Sequence, residues 1–303
     1  MGRLNRSASL AMVVVSAACF GTLAVLTPLA YSAGTAPLPL LAWRFMFASL
    51  LLALVAGVRD PRRLIPPRGD LLRYSALALT GYGAASVCFF FALKFADAAV
   101  VAVLLYAYPA FVTIASWVFL GEKATWGRAA AVLVTFVGCA MVVGLFGGVG
   151  HVAWPGVVLG LGAAVGYTLF NLLSHRWLPG RSQLVMMTYT FGIAAIMAAV
   201  LALASGQTLS PASWQPQAWW LIGAIVLVPT FAAVVLYLQG IRGLGPSQAA
   251  VVSTLEPLFT IVLAWLVLGQ HLSWLQLAGA ALVLAGVVTA EIVARTAPAP
   301  FAA

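Results

Sequence analysis

The sequence predicts an all-α membrane protein: ten transmembrane helices arranged as two inverted five-helix repeats. Three observations carry that expectation. The first is composition. Of 303 residues, 64% are apolar and 7% charged, against about 25% charged in soluble domains, and the mean hydropathy is +1.08. The second is an ungapped internal repeat. AVLLYAYPAFVTIASWVFLGEKATW from Ala102 returns 148 residues later (250 − 102) as AVVSTLEPLFTIVLAWLVLGQHLSW from Ala250. The third is the placement of the basic residues, which cluster in the short loops between apolar runs.

Crossing the hydrocarbon takes about 20 apolar residues as a helix. Ten runs meet that length, at approximately 9–31, 38–58, 71–93, 98–120, 126–146, 154–175, 183–204, 218–240, 246–268 and 273–294. The first follows Arg3 and Arg6 as a signal peptide would. It is longer than a signal h-region of about 7–15 residues, so it reads as a retained span. The second contains Arg44, the basic residue placed within a span. The third carries Gly81, Tyr82 and Phe89, and the fourth Tyr106, Tyr108 and a mid-helix Pro109. The fifth opens after Thr125, a helix N-cap type, and contains Gly138. The sixth bears a stripe of Gly156, Gly160, Gly162 and Gly166, with Tyr167 and Asn171 one turn apart. The seventh carries Tyr189, close to the repeat position of Arg44. The eighth is interrupted by Pro229, with Gly81 at the matching place in the third, and continues through Tyr237 and Gln239. The ninth holds Glu256, the one acid deep in a span, followed by Pro257. The tenth opens after Ser273 and carries Gly279 and Gly286 on one face. Gly121 and Gly269 read as helix C-caps, and the small-residue stripes as surfaces where helices pack closely.

With the N-terminus inside, the inner segments hold Arg3, Arg6, Arg59, Arg62, Arg63, Arg68, Arg73, Lys123, Arg128, Arg176, Arg181, Arg242 and Arg295, and the outer loops Lys94. That is a strong positive-inside bias, so both termini are expected in the cytoplasm. The net charge of +9 therefore belongs to the membrane surface and not to nucleic acid. Five spans per half turn the second half upside down relative to the first. The halves divide as 1–150 and 151–303, with Gly147, Gly148 and Gly150 at the seam. Glu122-Lys123 then falls inside and Gln270-His271 outside.

Both repeats carry a proline in the helix, then Leu-Gly, then Thr-Trp or Ser-Trp, and a later glycine: Pro109, Leu120, Gly121, Glu122, Trp126 and Gly138, then Glu256, Pro257, Leu268, Gly269, Trp274 and Gly286. In this the chain resembles the EamA family of the drug/metabolite transporter superfamily, ten-span type, over essentially its whole length. The resemblance implies a transporter of small metabolites in the cytoplasmic (inner) membrane, often an exporter of amino acids or related compounds. Gln270 stands where the first copy has Glu122.

Several residues are candidates for substrate handling. Pro109 and Pro257 each remove one helix hydrogen bond and displace the carbonyl four residues earlier, at Leu105 and Ser253. Such carbonyls must face protein or a watery cavity, so the two kinks are expected either to line a shared midplane pocket or simply to shape the bundle. Pro229 and Gly81 are candidate hinges. A charge at the centre of a span costs about 2.5–3.5 kcal/mol on insertion scales. Arg44 and Glu256 could pair with each other; Glu256 could cap freed backbone, or be protonated and silent, while Arg44 snorkels outward; or both could face the substrate path. In the last case the carboxylate of an amino acid would meet Arg44 and its ammonium Glu256. Tyr82, Tyr106, Tyr108, Tyr167, Asn171, Tyr189, Tyr237 and Gln239 either line that path or pack the bundle. Trp154, Trp219, Trp220 and Trp274 read as interfacial anchors.

No H-E-x-x-H, P-loop or G-x-S-x-G pattern occurs, and His151, His175 and His271 form no ligand set. Cys19, Cys88 and Cys139 lie in apolar runs as buried thiols. The expected protein is a non-enzymatic secondary transporter with no metal or cofactor, acting as a monomer or homodimer on a small molecule. It is expected to work by alternating access, one half rocking against the other. An uncoupled channel or uniporter, or a multidrug or nucleobase exporter, is the competing reading.

Overall fold

The computed structural model describes residues 5–59, 65–119, 125–145 and 152–296. Nine helices among them are long and apolar enough to cross a membrane. They are α1 (Arg6–Ser32), α2 (Pro37–Val58), α3 (Arg68–Ala92), α4 (Ala98–Phe119), α5 (Trp126–Val143), α6 (Trp154–Trp177), α7 (Gln183–Ala204), α8 (Gln217–Leu244) and α9 (Gln248–Leu268). A further helix, α10 (Trp274–Thr296), has a shorter apolar stretch. The expected turn at Leu120, Gly121, Glu122 and Lys123, the glycine seam, His151, Arg3, Arg62 and Arg63 lie outside the described residues.

Local sequence explains the ends. Gly269 closes α9 in the left-handed conformation (φ 64°), a region glycine enters without Cβ strain. Ser273 and Gln276 form a reciprocal capping box at the start of α10: Gln276 N–H donates to Ser273 Oγ (3.3 Å), and Ser273 N–H to Gln276 Oε1 (2.9 Å). Thr125 occupies the N-cap of α5 without a side-chain bond.

The prolines act differently from simple kinks. α4 breaks at Tyr106–Ala107, between Ala98–Leu105 and Tyr108–Phe119. α9 breaks at Thr254–Leu255, between Pro246–Ser253 and Glu256–Leu268. Pro109 and Pro257 each become the second residue of a new helix, where a missing N–H would have had no intrahelical partner anyway. The breaks differ by the repeat shift of 148 (254 − 106). α3 and α8 instead each contain a π-helical turn, Leu77–Tyr82 and Val226–Ala232, and these turns hold Gly81 and Pro229. Gly81 is there for closeness: a Cβ would lie 3.0 Å from the Phe170 backbone on α6.

Packing pairs helices across the two copies. α2 lies on α7 and α5 on α10; α3 and α4 pack on α6, and their repeat counterparts α8 and α9 on α1. Every main pairing thus recurs with the copies exchanged. The result is two three-helix bodies, α3–α4–α6 and α8–α9–α1, each drawn from both copies. Close approach sets the α5–α10 pair. Gly138 faces Gly279, and a Cβ on either would come within 2.7 Å of the other's carbonyl oxygen. Gln276 Nε2 donates to the Val142 carbonyl at 3.1 Å beside them. The small-residue face of α10 is therefore used within the chain. The α6 stripe is used likewise: Gly156 meets Ala96, Gly160 meets Leu104 and Gly166 meets Ala85.

The bodies meet unevenly along their length. The Ala98–Leu105 half of α4 packs on α6 within its own body and also against the Glu256–Leu268 half of α9 and α1 of the other. The Tyr108–Phe119 half packs on α5, α6 and α10, and the Pro246–Ser253 half on α1, α8 and α10. At the joined end, Gln270 Oε1 accepts from Ala98 N–H (3.0 Å) and Tyr31 Oη donates to the Phe90 carbonyl (2.7 Å). At the far end, Asp70 at the start of α3 bonds Arg181 after α6 (2.7 Å) and Arg73 (2.8 Å). That cluster lies within one body.

Overpacking the α5–α10 contact tests this architecture. Gly279→Leu should destabilise the protein by about 1–3 kcal/mol, read as a lower unfolding temperature of the purified protein. The same change at Gly223, where an added Cβ would have nothing within 4 Å, should leave the unfolding temperature nearly unchanged.

Candidate functional site

The break in α9 frees backbone groups inside the bundle, and the break in α4 supplies the group that answers them. Tyr106 sits in the α4 break with 6% of its surface exposed. Its hydroxyl lies 2.8 Å from the Ser253 carbonyl and 2.9 Å from Glu256 Oε2. Ser253 is the last residue of the Pro246–Ser253 half-helix, so its carbonyl has no further turn to accept from, and Pro257, four residues on, has no N–H to offer it. A single O–H therefore stands between that carbonyl and the one deep carboxylate. Glu256 is the first residue of its half-helix, where the positive end of the helix dipole favours a negative group. Thr260 Oγ1 steadies the same turn, 3.1 Å from the Gly21 carbonyl of α1 and 3.2 Å from that of Glu256. At the α4 break, the Thr168 hydroxyl of α6 lies 2.8 Å from the Ala164 carbonyl of its own helix and 3.1 Å from the Tyr108 carbonyl just past the break.

A series of rings leads away from Tyr106. Its ring meets Tyr108 edge-on at 6.1 Å, Tyr108 meets Tyr167 at 4.9 Å, and Tyr167 lies 6.5 Å from Tyr82. Phe170, Phe45 and Phe191 surround Tyr82 at 5.3, 5.9 and 5.3 Å. The rings come from α2, α3, α4, α6 and α7, and they fill the centre of the bundle.

Arg44 stands at the other end of this series. It is 1% exposed. Its Nε donates to Thr230 Oγ1 at 2.9 Å, and Thr230 in turn donates to the Ile225 carbonyl at 2.8 Å. Ile225 lies four residues before Pro229, so the threonine hydroxyl serves the carbonyl that this proline leaves without an α-helical partner. The Tyr82 hydroxyl is the other polar neighbour of the guanidinium. The Phe45 and Phe90 rings lie 5.0 and 5.3 Å from it, close enough for cation–π attraction worth about 2 kcal/mol or more when desolvated.

The structure thus brings Glu256, Tyr106, Tyr108, Tyr167 and Tyr82 into one continuous set. It does not pair Arg44 with Glu256: the Glu256 carboxylate is hydrogen-bonded by Tyr106, and the Arg44 guanidinium donates to Thr230. The two charges are divided by rings, so in this conformation they do not converge on a single α-carbon. Tyr237 lies within electrostatic reach of Tyr167. Asn171 donates to the Tyr167 carbonyl of its own helix (2.8 Å). Tyr189 stacks on Tyr74 at 6.0 Å, towards the Asp70–Arg181 cluster and away from Arg44. Gln239 is half-buried on α8. Pro109 and Pro257 sit just past the two breaks, and Gly81 and Pro229 within the two π-turns.

Thr230, Phe45, Phe90, Phe170 and Phe191 were not among the sequence candidates. Thr230 carried a usable signal, since it follows Pro229 and occupies the repeat position of Tyr82 (230 − 82 = 148). The phenylalanines carried none, being ordinary apolar residues of a span.

A profile of the EamA-like transporter family matches residues 7–144 and again 154–290. The chain is 25% identical over 273 residues to the uncharacterized transporter YyaM of Bacillus subtilis (strain 168), covering 84% of each chain. It is 28% identical over 255 residues to an uncharacterized transporter of Archaeoglobus fulgidus, covering 83% of this chain and 86% of the other. A solved crystal structure superimposes over 96% of this chain and 99% of its own, with a TM-score of 0.66 at 19% identity.

Removing the bridging hydroxyl tests the site's construction. Tyr106→Phe strands the Ser253 carbonyl and should destabilise the protein by about 1–3 kcal/mol, measured by thermal unfolding in detergent. An unchanged unfolding temperature would mean that the carbonyl has another partner.

Proposed function

The chain belongs to the EamA-like transporter family, and we propose that it is a secondary transporter of the cytoplasmic (inner) membrane that exports small organic metabolites, amino acids or related compounds, by alternating access. The topology in this reading is ten spans in two inverted repeats, with both termini in the cytoplasm. One observation supports the inversion: Gln270, just past α9, reaches the beginning of α4 at Ala98, so the repeat-equivalent helices α4 and α9 run in opposite directions. The helix pairings, which recur when the copies are exchanged, fit the two-fold relation. The Arg73–Asp70–Arg181 end is then cytoplasmic.

The observation that carries the mechanism is the uneven contact between the two bodies. The outer halves of α4 and α9 are packed together, while the symmetry-equivalent inner halves, Tyr108–Phe119 and Pro246–Ser253, pack chiefly on other helices. In an inverted repeat, exchanging these roles generates the opposite-facing state from the same sequence. The conformation described is accordingly closed towards the outside. The moving units are α3–α4–α6 and α8–α9–α1, and not the two sequence halves. The hinges are the π-turns and the helix breaks.

Substrate recognition centres on Glu256. Its carboxylate can exchange the Tyr106 hydroxyl for a substrate ammonium, and the neighbouring faces of Tyr108 and Tyr167 suit a cation or an apolar body. That chemistry favours amine-bearing metabolites. A channel is disfavoured because the outer end is closed by direct helix packing.

Counterflow in proteoliposomes tests the carrier reading: labelled amino acid should exchange saturably, whereas conductance without saturation would mark a channel. Glu256→Gln should reduce exchange about tenfold or more, as expected for loss of a charge-assisted bond, and Arg44→Ala should also impair it, both in folded, monodisperse protein. Wild-type rates in both variants would remove the ion-recognition part of the reading. Joining Ala98→Cys to Gln270→Cys by oxidation should stop exchange, and reduction should restore it; undiminished exchange in the cross-linked protein would show that the outer end need not open.

A further inference from the structure

Arg44 is a permanent cation held in the protein interior. Arginine does not lose its proton in proteins, so burial cannot be relieved by neutralisation, as it can for a lysine or a glutamate. Removing a guanidinium from water is strongly unfavourable unless an opposite charge and hydrogen bonds replace the solvent. Arg44 has the hydrogen bonds in part, from Thr230 and Tyr82, and two phenyl faces. All four partners are neutral. Among the described residues, no carboxylate faces it.

Its location adds a second constraint. Thr230 and Tyr82 are repeat equivalents, one on each π-turn, and Arg44 touches both. The guanidinium therefore lies where the two bodies come together. The counterpart helix in the second copy, α7, carries no arginine. The site is single and central, with no second arginine opposing it among the described residues. Rings separate it from Glu256, so a compound whose ammonium occupies the Glu256 end does not reach Arg44 while they remain in place.

We propose that the Arg44 guanidinium, framed by Thr230 and Tyr82, is a binding site for a small monovalent inorganic anion such as chloride, distinct from the Glu256 end of the substrate path. The anion supplies the charge that the protein partners lack. Guanidinium N–H donors engaged by neither Thr230 nor Tyr82 would serve it, while Thr230 fixes the plane of the group through Nε. The ring collar favours a small, weakly hydrated ion over a large or divalent one. Because the site contacts both π-turns, occupancy stabilises their present spacing, and the anion is expected to bias the conformational cycle as well as fill the site.

Purified substrate-free protein should show this directly. Replacing sodium isethionate by sodium chloride at constant ionic strength should raise the unfolding temperature saturably. Arg44→Gln should abolish the chloride-specific shift, and Thr230→Val should weaken chloride affinity about five- to tenfold, the ratio corresponding to one hydrogen bond. Equal unfolding temperatures of the wild-type protein in the two salts would overturn the proposal, and so would a chloride shift that persists unchanged in Arg44→Gln. A third arm uses an amino acid in isethionate. If it raises the unfolding temperature of the wild type but not of Arg44→Gln, and chloride does nothing, the anion is the substrate's own carboxylate and the inorganic assignment fails. If Arg44→Gln does not fold, the wild-type salt comparison and Thr230→Val decide. Saturable exchange in chloride-free proteoliposomes would leave the carrier reading standing even where the anion site fails.

Discussion

A backbone carbonyl without a partner is too costly to leave in hydrocarbon, and this chain breaks two of its helices there. Most of the central architecture follows from that constraint. The α9 break is answered by Tyr106, which itself sits in the α4 break. The carbonyl before Pro229 is answered by Thr230. The first solution takes its side chain from the repeat-equivalent break, so those two broken helices have to lie together; the second is local to α8, five residues along the same helix. In the proposed inverted arrangement, two copies in opposite orientation meet the first requirement without any special loop or insertion.

The polar groups that satisfy the backbone are the same groups that hold the charges. Tyr106 bridges the Ser253 carbonyl and Glu256; Thr230 bridges the Ile225 carbonyl and Arg44. A ligand that competes for either charge therefore acts on a helix interruption at the same time. This gives binding a physical route to conformation: a change at Glu256 alters the one hydrogen bond shared with the α9 break, and a change at Arg44 alters the bond that steadies a π-turn. In the proposed mechanism coupling of this kind needs no long pathway, because the candidate site and the helix interruptions share these bonds.

Much of this was legible in the sequence. The repeat at Ala102 and Ala250 established the equivalence of the two broken helices, Pro257 identified Ser253 as the freed carbonyl, and Gly279 and Gly286 marked a packing face. Other features were not legible, for physical reasons. A proline three residues after Tyr106 reads as a kink, and only tertiary packing decides that the chain breaks and restarts with proline in the new first turn. The π-turns have no signature in composition; Gly81 marks one and Pro229 the other, although the two residues constrain the backbone in opposite ways. Arg44 and Glu256 are the two charges deep in spans, which invites pairing them. Their separation depends on which faces of α2 and α9 turn inward, and on the bulk of tyrosines that the sequence leaves as optional lining. Rocking of one sequence half against the other is the natural expectation from a duplication. Three-helix bodies replace the halves as the proposed moving units because helix pairing crosses the copies, and pairing is a tertiary property.

The central claim is that the two copies are antiparallel across the membrane, and sided labelling tests it most directly. Single cysteines replacing Glu122 and Gln270, in protein whose own cysteines have been replaced, would be reacted with an impermeant maleimide on intact cells and again after permeabilisation. Position 270 should react from outside, and position 122 only once the membrane is opened. Reaction of both from the same side would place the two repeats parallel, and the exchange of half-helix contacts on which the transport mechanism rests could not occur.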